Sequence, residues 1–317
     1  MIRPVTHRAR LLWTGVRARV LPIGEAILVA GIWGSSFVGV KVALGHAGPL
    51  TVAALRYSMA AAILVPWALW RCDLPARLPT RVWIRLAAIG ACQYAIGNGA
   101  LFLALRTVSS TAASLAISLV PLPVLFLEVA YLKERPGLIH MLGLLIAIVG
   151  SLLFFSSGLQ PISGGVVGLL ALATVSFAVM PIFGRELALA RAVSTIALTA
   201  VPLAIGGGLL LVVAAATEGI PDMPLATWGI VIGLALVNTV AAYLLFNHAL
   251  RRLHAGEANV LMNLIPVATA LIAWGTIGDR LTAAQMGAMA VVIFGASFAQ
   301  FRRGRGRREG DAVPLNR

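Results

Sequence analysis

At 317 residues, 60% of them hydrophobic and only 11% charged, the chain holds too few charges to cover a soluble surface, where about a quarter of residues are normally charged. Its mean hydropathy of +0.94 calls for lipid as the solvent of the surplus apolar side chains. A formal net charge of +14 would suggest nucleic acid on a soluble chain, but the basic residues stand in short clusters between apolar runs. That pattern belongs to membrane orientation and anionic headgroups, so the expected partners are a bilayer and a small molecule, and no nucleic acid.

A span needs about 20 mostly apolar residues, and ten such stretches follow one another: 24–45, 49–70, 83–105, 108–131, 137–157, 164–184, 193–216, 225–250, 255–277 and 281–301. The basic segment 1–23 runs into the first span with no small-residue cleavage pattern and is read as a signal anchor. Span 1 carries Trp33, Ser36 and Lys41, and span 2 carries Arg56. Lys41 and Arg56 lie toward the outer ends of their spans, where a long cation either snorkels to the headgroups or binds a substrate carboxylate in a bidentate fork. Cys72 and Cys92 form no disulfide framework and no metal-ligand spacing, and read as small apolar filler. No cofactor and no metal are expected.

Span 3 carries Gln93, Tyr94 and Asn98, and span 4 carries Ser114, Ser118 and Pro121. Residues four apart share a helix face, so each set makes a polar stripe inside an apolar run. Span 8 holds Asn238, Thr239, Tyr243 and His248, and span 9 holds Asn259, Asn263 and Pro266. Polar stripes in lipid face the bundle or a wet cavity, where they line a substrate site or act as interhelical hydrogen-bond glue. Serine also bonds back to its own helix, which makes glue the plainer reading of Ser114 and Ser118, whereas the amides of Asn98, Asn259 and Asn263 suit a cavity. Trp33, Tyr94 and Tyr243 offer faces for an apolar or aromatic substrate. Pro121 and Pro266 each remove a backbone donor mid-span, giving either a hinge or a fixed bend. His248 titrates near neutrality in principle, but it stands alone, and a lone histidine is more often a hydrogen-bonded structural group.

Lysine and arginine placement orients the spans. With the N-terminus inside, every one of the 25 basic residues except Lys41, Arg56, Arg106 and Arg280 falls in a cytoplasmic segment. Both termini are then cytoplasmic, and the tail 302–317 is a basic, disordered, lipid-contacting segment.

An offset of 145 lays the second half over the first. Trp83 meets Trp228, Ala104-Leu105-Arg106 meets Ala249-Leu250-Arg251, Pro121 meets Pro266, Arg135 meets Arg280 and Gly150 meets Gly295. The same offset sets Gln93 on Asn238, Asn98 on Tyr243, and Ser114 and Ser118 on Asn259 and Asn263. The expected fold is therefore all-α: a polytopic membrane protein of ten helices in two five-helix repeats, 24–157 and 164–301. Five is odd, so the copies insert in opposite senses, an architecture that offers two near-equivalent packings.

The runs GIWGSSFVGVKVAL and LRYSMAAAIL, followed by ALRTVSSTAASLAISLVPLPVLFLEVAYLKERPGLIHMLGLLIAIVGSLLF and its second copy, resemble the EamA-type transporters of the drug/metabolite transporter superfamily. The resemblance covers roughly residues 24–301. It implies a ten-helix inner-membrane carrier exporting or exchanging small metabolites, often amino acids, through a central cavity lined by spans 1, 3, 4, 6, 8 and 9. Asp279 stands where that family usually has Glu, and Val175 where it often has an aromatic residue. The competing reading is a membrane-embedded enzyme or lipid-handling protein, which needs a catalytic set that the spans do not display. The carrier is expected to work as a monomer or homodimer.

Overall fold

The computed structural model describes residues 6–71, 78–132, 137–157, 163–184, 186–187, 190, 193–219, 221–250, 253 and 260–301. Among these, ten helices follow one another. They are α1 Thr6–Ala43, α2 Pro49–Trp70, α3 Thr80–Leu105, α4 Ser110–Leu127, α5 Leu138–Ser156, α6 Gly164–Gly184, α7 Thr195–Thr217, α8 Leu225–Phe246, α9 Val260–Ile277 and α10 Ala283–Phe301. Nine are long and apolar enough to cross a bilayer, and α10 is slightly shorter in its apolar part. The last turn of α8 continues to Leu250.

Helix α1 departs from the expected start at residue 24. It begins at Thr6, because the stretch before the span is rich in Arg, Leu and Ala, all good helix formers, and Pro22 is carried inside it. Its membrane-length apolar part is Leu21–Ala43. Residues 255–259, expected to open span 9, lie outside the described residues.

Small residues set how closely the helices approach. Helices α5 and α10 run antiparallel, Gly143 against Ala299 and Gly150 against Val292, with Gly295 against Ala147. A Cβ at Gly143 would stand 2.4 Å from the Ala299 nitrogen, and one at Gly295 would stand 2.5 Å from that of Ala147. Backbones meeting through glycine are how membrane helices gain dispersion contact without a hydrophobic drive. Helix α2 packs on α7 in the same way, through Gly207 against Tyr57 and Ser58. Each of these two pairs joins helices at matching places in the two repeats. Three further contacts come in exchanged sets: α1 with α8 and α6 with α3, α1 with α9 and α6 with α4, α2 with α8 and α7 with α3. That exchange is the signature of a pseudo-twofold axis. The outward faces keep large apolar side chains exposed, among them Leu152, Val212, Phe126 and Leu271. Water would not tolerate such a surface, and lipid favours it.

Both repeat-equivalent prolines interrupt their helices. Residues Ser118–Val120 before Pro121 form tightened turns, with the Val120 amide donating to the Ile117 carbonyl at 3.1 Å. Asn263 and Leu264 before Pro266 do the same, their amides donating three residues back to Val260 and Leu261. The carbonyl that Pro121 frees at Ile117 is thus taken up locally.

Candidate functional site

Two further interruptions match across the repeat. Helix α3 widens into π turns over Gly90–Gly97, and α8 does so over Leu236–Ala241. A π turn opens the i to i−4 ladder and strands carbonyls that another donor must satisfy. In α3 the Asn98 Nδ2 donates five residues back to the Gln93 carbonyl at 2.7 Å. In α8 the Thr239 hydroxyl donates five residues back to the Leu234 carbonyl at 3.0 Å.

Neighbouring residues of α2 hold both plugs. The Tyr57 hydroxyl donates to Asn98 Oδ1 at 2.7 Å, and Arg56 Nε donates to Thr239 Oγ1 at 3.0 Å. One dipeptide therefore grips the widened segment of each repeat. Arg56 Nη1 donates to Ser36 Oγ at 2.5 Å, and Nη2 to the Asn238 carbonyl at 3.4 Å. The guanidinium also lies 5.2 Å from the centre of the Tyr57 ring, a cation–π distance. Asn238 Nδ2 donates to the Ile32 carbonyl and to Ser35 Oγ, tying α8 to α1.

Aromatic rings close the cluster. Tyr57 and Tyr94 meet edge-on at 5.3 Å, Trp33 and Tyr243 at 5.5 Å, and Trp33 lies 5.1 Å from Phe246. Tyr94 is 2% exposed and Tyr57 3%. The structure thus brings Trp33, Ser36, Tyr94, Asn98, Asn238 and Tyr243 around Arg56. Gln93 belongs to the same turn of α3, and its Oε1 is buried with no partner.

Other residues singled out from the sequence lie elsewhere. Ser114 and Ser118 bond back to the carbonyls of Thr111 and Ser114 on their own helix. Asn263 donates to Ser297 Oγ at 3.2 Å, joining α9 to α10. Asn259 lies outside the described residues. Lys41 neither snorkels nor faces the cluster. Its ammonium donates to the carbonyls of Leu105 at 2.6 Å, Val108 at 2.8 Å and Arg106 at 3.3 Å, capping the C-terminal end of α3. His248 is not isolated: its Nδ1 lies 2.9 Å from Glu25 Oε2, so α8 and α1 are paired at the end where α1 enters the bundle. At the same end Arg85 of α3 pairs with Glu186, just past α6, at 2.5 Å.

At the opposite end, Gly278 ends α9 in a left-handed turn with φ of 70°. Asp279 follows it, its carboxyl raised above the ordinary carboxylate value by burial, against the opposing charge of Lys41 and a hydrogen bond with Ser109.

Sequence reasoning missed the π segments and the role of Tyr57. Gly90 and Gly97 bracket the α3 segment and were the only local hint. A Cβ at Gly97 would stand 2.7 Å from Phe177 of α6. Helix α8 has no matching glycine pair.

Among the described residues, ten apolar helices, exchanged contacts, four matched interruptions and one buried polar cluster define a multi-pass membrane protein built as an inverted repeat. The model of the EamA-like transporter family matches residues 22–156 and again 165–300, and the chain belongs to that family of membrane transporters. The chain is 25% identical over 274 residues to YyaM, an uncharacterized transporter of Bacillus subtilis strain 168, covering 83% of this chain and 88% of that one. It is 26% identical over 283 residues to YedA, an uncharacterized inner membrane transporter of Escherichia coli K12, covering 87% and 90%. A solved crystal structure, 21% identical, superposes with a TM-score of 0.65 over 91% of this chain and 98% of that chain, a likeness of fold.

Proposed function

We propose that the chain is an inner-membrane secondary carrier that exports or exchanges a small metabolite, an amino acid or a relative, by alternating access, with both termini cytoplasmic. The observation that supports this most is the double grip of Arg56 and Tyr57 on the widened segments of α3 and α8. A buried polar and aromatic cluster sits where the two repeats meet, and two of the helices that build it, α3 and α8, carry π segments at which their halves can move. Substrate would bind among Trp33, Tyr94, Asn98, Asn238 and Tyr243, and the ion pairs Glu25–His248 and Arg85–Glu186 would hold one end shut. In this reading the chain carries its substrate unchanged.

Overexpression should raise resistance of growing cells to at least one member of a panel of amino acids and analogues. No shift for any amino acid would sink the amino-acid version. In vesicles, replacing Asn98 and Asn238 together by Ala should abolish uptake of the responding compound while membrane insertion persists. Undiminished uptake would remove this cluster as the binding site.

A further inference from the structure

Arg56 carries a fixed positive charge that nothing among the described residues balances. Its residue is 6% exposed and lies seven residues inside α2, about 10 Å along the axis from Pro49 at about 1.5 Å per residue. An arginine does not shed its proton inside a protein, so burial cannot silence this charge as it can a lysine's. Its partners among the described residues are neutral: Ser36 and Thr239 hydroxyls, the Asn238 carbonyl and the Tyr57 ring. Among the described residues the ion pairs are Arg85–Glu186 and Glu25–His248, and Arg56 is in neither. A buried cation without a counter-charge is costly and marks a functional place in a membrane protein.

The donor inventory points the same way. A guanidinium has five N–H groups in a planar fork, and the three hydrogen bonds above use one on Nε, one on Nη1 and one on Nη2. One N–H remains on each terminal nitrogen, and a guanidinium offering one N–H on each of two nitrogens can take a carboxylate through two bonds. Gln93 Oε1, buried without a donor, adds an unsatisfied acceptor on the α3 side.

We infer that this cluster binds an organic acid whose carboxylate takes the two free N–H groups of Arg56, neutralising it in the occupied state. This rests on the carrier reading for its flux arm but not for its binding arm. Ser36 keeps the fork aimed, and the Tyr57 ring holds its plane.

The test uses full-length protein in detergent and in proteoliposomes, with matched pairs as probes: L-phenylalanine and L-phenylalaninamide, L-leucine and L-leucinamide, benzoate and benzamide. At least one acid should raise the melting temperature and its amide should not. Arg56→Gln should weaken that acid's binding by about tenfold to about hundredfold, the scale of a charge-assisted hydrogen bond. Because Arg56→Gln can misfold, Ser36→Asp is the second variant. It places a carboxylate beside Nη1, and should melt higher than the wild type without ligand and no longer respond to the acid. Binding of the acid without flux in proteoliposomes would uphold this inference and overturn the carrier reading. Equal flux of acid and amide, an unchanged response in Ser36→Asp, or no shift with any acid would overturn the inference; the first of these leaves the carrier reading intact.

Discussion

Arg56 shows how far a single residue can be read from sequence. Its position seven residues into an apolar run fits snorkelling as well as it fits burial, because α2's tilt and neighbours decide, and those are not local. What decided was Thr239 and Asn238, more than 180 positions away. Glu218 was equally opaque: an acid after an apolar run looks like a loop charge. In the fold its carboxylate accepts from the amides of Leu50 at 3.1 Å and Thr51 at 2.8 Å and from the Thr51 hydroxyl at 2.7 Å. It caps α2, whose own N-cap, Gly48, has no side chain to do so. Glu218→Ala should cost about 1 kcal/mol, the value of a lost cap, read as a lower melting temperature in detergent. Asp279 gives a pH signature. Its folded carboxyl holds its proton more tightly than in the unfolded chain, so its contribution is most favourable at low pH and declines as pH rises through the elevated value. Asp279→Asn should remove that decline, melting no lower than the wild type at neutral pH; a wild-type-like fall in melting temperature with pH would contradict it.

Helices were legible to different degrees. Hydropathy located all ten, since a span's length and apolarity are properties of its own residues. The breaks at Pro121 and Pro266 were visible because proline cannot donate wherever it sits. The π segments of α3 and α8 were not, because no residue type makes one; they arise where a side chain such as Asn98 or Thr239 can rescue the stranded carbonyl. The α5–α10 crossing lay between, as Gly150 and Gly295 appeared in the repeat without their roles. Adding bulk there should be felt strongly. Gly295→Val meets backbone at Ala147 and Gly143, and should destabilise by about 1–3 kcal/mol as overpacking does. Gly275→Val, at a position with open space around its Cβ, is the control and should melt within a degree or two of that expected for an exposed helix change.

Across the whole molecule, the 145-residue offset exposed the inverted repeat because duplication preserves spacing even where identity has faded. It did not expose what the two halves do to each other, such as the pairing of His248 with Glu25, 223 residues apart. Nor did it reveal where the halves stop being alike. Among the described residues the Arg-Tyr grip belongs to the first repeat: α7, the counterpart of α2, contains no Lys or Arg. Two identical halves would make the packings open to either side mirror images of equal energy. One half carries a clamp that the other lacks, so under alternating access the two packings differ in energy, and the empty protein waits mostly with the same side facing out.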